Sequence, residues 1–130
     1  MVSPAVEGVT TTLQADSSGN FTGHATINGS DVAVMIDTGA SFVALTHRDA
    51  VRMGIAPAPG DYRLAMSTAN GRSYAAEVHL DSIEIGNVRI QDVPAIVAQP
   101  RALSRSLIGM NFLRRLRKFQ FQGNRLELTQ

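Results

Sequence analysis

Residues 34–41 read Val34-Met35-Ile36-Asp37-Thr38-Gly39-Ala40-Ser41. An apolar strand runs into an acid, a hydroxyl and a glycine. Asp-Thr-Gly ends a strand in an Asx-type turn, because the short side-chain oxygen bonds the backbone two residues on. Taken alone, the triplet also closes ordinary strands, so its meaning depends on what surrounds it.

Upstream, Phe21, Gly23, Ala25 and Ile27 alternate with Thr22, His24 and Thr26, the period of two of a strand. Asn28-Gly29 follows, the strongest short hairpin signal. Asp31 to Ile36 is then a second strand, apolar enough to be central. Val9 to Ala15 is a Thr-rich strand that turns at Ser17-Ser18-Gly19-Asn20. Downstream, Val43 to Leu45 is a short apolar strand, and Thr46 is an N-cap with Asp49 three residues later. The helix so started runs to Met53 and stops at Gly54. Tyr62 to Ser67 and Ser73 to Leu80 flank the hairpin turn Asn70-Gly71, and Ser82 to Ile85 and Val88 to Val97 flank Gly86-Asn87. A last helix is expected over Asn111 to Arg117, and Arg125 to Thr129 closes the chain as a strand. The pattern predicts an all-β domain with two small helices, a closed or partly closed barrel.

Length and composition agree with one domain. At 130 residues the chain can bury roughly two-thirds of its unfolded surface. Residues 9–130 are expected to form that domain, and residues 1–8 a flexible N-terminal segment. There are no cysteines, which removes disulfides, cysteine nucleophiles and cysteine-ligated metals. The net charge of +1 is unevenly spread. Residues 101–130 hold seven basic side chains and one acid, and the first hundred hold five basic and ten acidic ones. The run Arg114-Arg115-Leu116-Arg117-Lys118 reads as a solvated helix face rather than a nucleic-acid patch, since no Tyr or Trp platform accompanies it. No apolar run approaches the ~18 residues of a membrane span. His24, His47 and His79 lack metal-ligand spacing, and no cofactor or metal site is expected.

A second segment changes the weight of the first. Ser106-Leu107-Ile108-Gly109-Met110-Asn111-Phe112-Leu113 leads two aliphatics and a glycine straight into a helix. Asp-Thr-Gly after an apolar strand, a Gly-tipped mid-chain hairpin, then aliphatic-aliphatic-Gly before a late helix resembles the retropepsin branch of the aspartic proteases. The resemblance covers roughly Phe21 to Leu128, in the family's order of elements, and is nearest to bacterial single-domain members. It implies a retropepsin-like closed β-barrel. Asp37 would be the catalytic carboxylate, Thr38 a hydrogen-bonding contact to a partner loop, and Gly39 a close-approach residue offering its N–H to the carboxylate. Ala40 and Ser41 would line the cleft floor, and the hairpin Ala69-Asn70-Gly71-Arg72 would be the flap over bound peptide. Leu107, Ile108 and Gly109 would support the catalytic loop, and Asn111 falls where retroviral enzymes commonly have Asn.

The family's chemistry accounts for these residue types. Metal-free peptide hydrolysis needs an activated water and a proton donor, and two facing carboxylates sharing one proton supply both. The chain has one Asp-Thr-Gly and no second copy around its other aspartates. An enzyme of this type built from it would therefore be a homodimer, with Asp37 on the two-fold axis. The first and last strands, near Val9 to Leu13 and Leu126 to Leu128, are expected in the dimer sheet. Retroviral members carry two acids where this chain has Ser41 and Phe42, and Arg where it has Met110. Their ion pair is therefore absent, and Phe42 is expected against Met110 in its place. The implied activity is an aspartic endopeptidase acting on extended peptides with apolar side chains near the cleaved bond. A non-hydrolytic peptide-binding or dimerisation module on the same fold is the alternative. No nucleic-acid partner is expected. Membrane association would come only through an anchor outside this chain, as bacterial relatives often carry, and this chain would then be the soluble domain, periplasmic or cytoplasmic.

Overall fold

The computed structural model describes residues 9–68 and 71–130. The expected flexible lead, residues 1–8, lies outside the described residues, as do Ala69 and Asn70. The strands are β1 (Thr10–Gln14), β2 (Thr22–Ile27), β3 (Ser30–Ile36), β4 (Val43–Leu45), β5 (Tyr62–Thr68), β6 (Gly71–Ile85), β7 (Val88–Ala98), β8 (Ser106–Ile108), β9 (Lys118–Gln122) and β10 (Arg125–Thr129). Two short helices, α1 (His47–Arg52) and α2 (Met110–Leu113), join them.

Local chemistry explains the joints. Asn28 and Gly29 both have positive φ, 49° and 83°, as this two-residue hairpin between β2 and β3 requires. Thr46 caps α1 by accepting a hydrogen bond from the Asp49 N–H at 3.0 Å. Two expectations need correction. The strands expected on either side of Asp81 are one continuous strand, β6. The Asn28 Oδ1 accepts from the N–H groups of Asp81 (2.7 Å) and Ser82 (3.3 Å), so the backbone is satisfied there without a break. The helix expected over 111–117 is only the single turn of α2. After it, N–H groups reach back three residues, Arg115 to Phe112 O and Leu116 to Leu113 O. This tighter winding turns Leu116 into the core while Arg114, Arg115, Arg117 and Lys118 stay exposed.

Six strands in the order β2-β3-β8-β4-β7-β6 close into a barrel, because the far half of β6 pairs back onto β2 at Ile27↔Ile83 and Thr26↔Glu84. Closure leaves no free edge around the barrel. β5 extends the sheet beyond β6. The β3–β8 and β4–β7 pairs are parallel, and the other pairings are antiparallel. The main core gathers Ile27, Leu45, Leu80, Ile83, Ile108 and Phe112, each fully buried. A smaller cluster of Ala44, Ala75 and Ile96, with Leu64, Met66 and Leu107 against it, lies apart from that core.

A separate three-stranded sheet runs β1-β10-β9. β10 is its middle strand, hydrogen-bonded on both sides within the chain, so it has no edge to offer a second sheet. The outer strands are β1 and β9. β9 carries Phe121, which is 45% exposed and packs edge-on against Phe21 with centroids 5.3 Å apart. The Phe21 carbonyl accepts the Ile36 N–H at 2.8 Å, so this aromatic contact borders the strand that delivers Asp37.

Candidate active site

β3 is an interior strand, paired with β2 on one side and β8 on the other. Its alternation buries Val32, Val34 and Ile36 in the core. Met35 and Asp37 share the opposite side by the same period, and both line a cleft of about 840 Å³. The main-chain pull that ends β3 comes from β8, where the Ile108 carbonyl accepts the Asp37 N–H at 3.0 Å. The loop then closes on itself. Gly39 N–H donates to Asp37 Oδ1 at 2.8 Å, and Ala40 N–H donates to the Asp37 carbonyl at 3.1 Å. One carboxylate oxygen is thereby fixed by the backbone and the side chain is held half-buried at the cleft.

A glycine at 109 is required by close approach rather than by its φ of −97°. A Cβ there would stand 2.7 Å from the Ala40 carbonyl oxygen and collide with that of Phe42. The approach lets Met110 N–H reach the Ala40 carbonyl at 2.8 Å and Asn111 N–H reach the Ser41 carbonyl at 3.0 Å. The Asn111 side chain finishes the clamp. Its Oδ1 accepts from Val43 N–H at 2.9 Å, and its Nδ2 donates to the Pro94 carbonyl at 2.6 Å, tying β4 to β7. A second clamp lies beyond the cleft. Buried Ser106 Oγ donates to Asp49 Oδ2 at 2.6 Å and accepts the Thr46 N–H at 3.0 Å, which fastens α1 to β8.

The structure brings Asp37, Gly39, Ala40 and Ser41 to one cleft. Thr38 is exposed on the same loop. Of the aliphatic-aliphatic-Gly segment, Ile108 and Gly109 are buried behind the loop, while Leu107 turns to the cleft wall beside Met35. Met110 packs against the main core, and Phe42 stays 42% exposed on the cleft wall. In the β5–β6 hairpin, Ala69 and Asn70 lie outside the described residues. Gly71 and Arg72 pair with Thr68 and Ser67 and are not among the described residues that line the cleft. The β5 residues Leu64 to Ser67 line it instead, as do Ile96 and the loop Ala102 to Arg105. Sequence reasoning missed these. The strand alternation of β5 was visible, but nothing local indicates that the 102–105 loop folds over the same cleft.

A closed barrel, an Asp-Thr-Gly loop at a cleft and an aliphatic-aliphatic-Gly segment behind it define one class of protein, the retropepsin-like aspartic proteases. The chain belongs to the gag-polyprotein putative aspartyl protease family, which it matches over residues 23–115. It is 32% identical to a retropepsin-like aspartic protease from Rickettsia conorii, with a TM-score of 0.83 over 94% of this chain and 91% of that one. It is 40% identical over 116 residues to an uncharacterized protein of the cobV 5' region of a Sinorhizobium species, and 34% identical over 117 residues to the uncharacterized protein RP867 of Rickettsia prowazekii. The matches cover 89–90% of this chain, and it spans about half the length of each curated relative. The EIAV protease, at 19% identity and a TM-score of 0.58 over 72% of this chain and 84% of that one, shares the fold.

Proposed function

We propose that the chain is an aspartic endopeptidase whose active site forms between two copies, each supplying one Asp37. The observation that carries this reading is the Asp37 carboxylate, fixed at 2.8 Å by the Gly39 N–H and facing a cleft large enough for several peptide residues. Two carboxylates about 3 Å apart cannot both ionise cheaply and share one proton. The ionised member takes a proton from water, and that water attacks the scissile carbonyl. The protonated member donates to the carbonyl oxygen. The proton taken from water then passes to the leaving nitrogen as the tetrahedral intermediate collapses. No acyl-enzyme forms.

The other roles follow from position. The exposed Thr38 would bond across the axis to the partner's loop. Ala40 and Ser41 would flank the substrate backbone. The hairpin of β5 and β6, including Ala69, Asn70, Gly71 and Arg72, would close over the peptide as a flap. Leu107 would contact the substrate, with Ile108 and Gly109 holding the loop from behind. Apolar cleft residues such as Met35, Leu64, Met66 and Ile96 favour apolar side chains next to the cleaved bond. Exposed Phe121 and the outer edge of β9, which border the catalytic loop through Phe21, support a dimer face on that side.

The test is cleavage of a diverse peptide mixture, read by mass spectrometry across mildly acidic to neutral pH. Cleavage that disappears in Asp37→Asn is expected. Cleavage that survives the substitution contradicts the assignment. Absence of cleavage by a chain shown to be dimeric favours the peptide-binding module.

A further inference from the structure

Arg105 is the one base, and Asp37 the one acid, among the described residues that line the cleft. The rest of that wall is apolar, small or neutral. Arg105 is exposed, and no salt bridge or hydrogen bond within the described chain engages it. Asp16 is close enough to feel its charge, but Asp16 Oδ1 already accepts from Ser18 N–H, Ser18 Oγ–H and Asn20 N–H. The guanidinium therefore keeps its fork of donors available at the mouth of the cleft.

Its distance from the chemistry follows from register. β8 pairs in parallel with β3, with Ser106 beside Val34 and Leu107 beside Met35. Arg105 directly precedes β8 in a bend, and its neighbour Ser106 stands level with Val34, three positions before Asp37. From Val34 to Asp37 is roughly 10 Å along the strand at about 3.3 Å per residue, and Arg105 lies one residue beyond. A peptide extended along that direction would advance by a similar rise, which would bring its side chains within about four residues of the cleaved bond to the guanidinium.

We infer that Arg105 is a specificity-determining residue that selects peptides carrying Asp or Glu within about four residues of the cleaved bond. It does so by a charge-assisted, two-pronged hydrogen bond to the substrate carboxylate. The inference rests on the reading of this cleft as a peptide site. In a two-fold dimer the second Arg105 repeats the preference on the other side of the bond. An apolar cleft with one cation thus discriminates among peptides that its apolar walls alone would accept equally.

Two readouts keep this separate from the question of hydrolysis. Octapeptides differing only by Glu or Gln at one position are compared for kcat/KM with the wild-type chain, and for binding with Asp37→Asn by fluorescence anisotropy. At one position within four of the cleaved bond, Glu is expected to be favoured by roughly fivefold to tenfold in both. Arg105→Gln is expected to bring the ratio to about one, and Arg105→Glu to move the preference to Lys. If wild type cleaves nothing, yet Asp37→Asn binds with the Glu preference and loses it on adding Arg105→Gln, the inference stands and the protease reading falls. A Glu/Gln ratio near one at every position, or a preference that persists in Arg105→Gln, overturns it.

Discussion

Gly109 is where one atom would do the most harm. Its missing Cβ makes room for the carbonyls of Ala40 and Phe42, which sit on the loop that follows Asp37. Gly109→Ala should cost about 2 kcal/mol or more, read from the denaturant midpoint, and should displace the loop even where the chain still folds. Asp16 gives a prediction with a defined pH window. The Ser18 hydroxyl first, and the Asn20 N–H next, hold its carboxyl below the ordinary 3.8, with a smaller push from Arg105. A depressed carboxyl stabilises the fold above the unfolded value, and that stabilisation is lost as pH falls through the folded value. Asp16→Ala should therefore lower the unfolding midpoint at pH 6, and the gap to wild type should close as pH drops below about 3.8. Thermal unfolding at the two pH values checks it. Asp37, Gly39 and Gly109 were legible as residues because their chemistry is local. The turn needs a short acceptor and a glycine, and two aliphatics ending at a glycine signal a tight packing point. Arg105 and Met66 were not legible as cleft residues, since only the tertiary approach of β5 and the 102–105 loop brings them there.

Elements show the same division. The β2–β3 hairpin and α1 carry their own instructions in Asn28-Gly29 and in Thr46 with Asp49, and both form where expected. β6 and α2 depart from expectation because distant groups decide them. Asn28 satisfies the backbone at Asp81, and the need to bury Leu116 tightens the winding after α2. The link between α1 and β8 is also nonlocal, with 57 positions separating Ser106 from Asp49. Ser106→Ala leaves the Thr46 N–H and Asp49 Oδ2 without this partner, and should cost about 1–3 kcal/mol in a chemical unfolding curve. An unchanged midpoint would show that the clamp contributes nothing to holding β8.

At the scale of the molecule, barrel closure was readable as a class, but the parallel pairing of β3 with β8 and β4 with β7 was not. Such pairing joins segments far apart in sequence and leaves no turn signal. The pairing of β10 with β1 was hidden for the same reason, whereas Gly123-Asn124 marks the turn that joins β9 to β10. That order leaves β1 and β9 as the outer strands, and exposed Phe121 on β9 is the candidate for the proposed dimer contact. Phe121→Asp should weaken the dimer, so that activity is lost at low protein concentration and regained at high concentration. A loss that concentration does not restore would place Phe121 in the fold rather than the interface.

The central claim is that two Asp37 carboxylates from separate copies make one active site. Its most direct test mixes a fixed amount of wild-type chain with increasing Asp37→Asn chain, allows exchange, and follows peptide cleavage. Random pairing puts most wild-type chains into one-carboxylate dimers, so a tenfold excess of the variant should lower activity by about tenfold. Activity that the variant leaves untouched, and that rises only linearly with wild-type concentration, would mean that each chain works alone and would contradict the account.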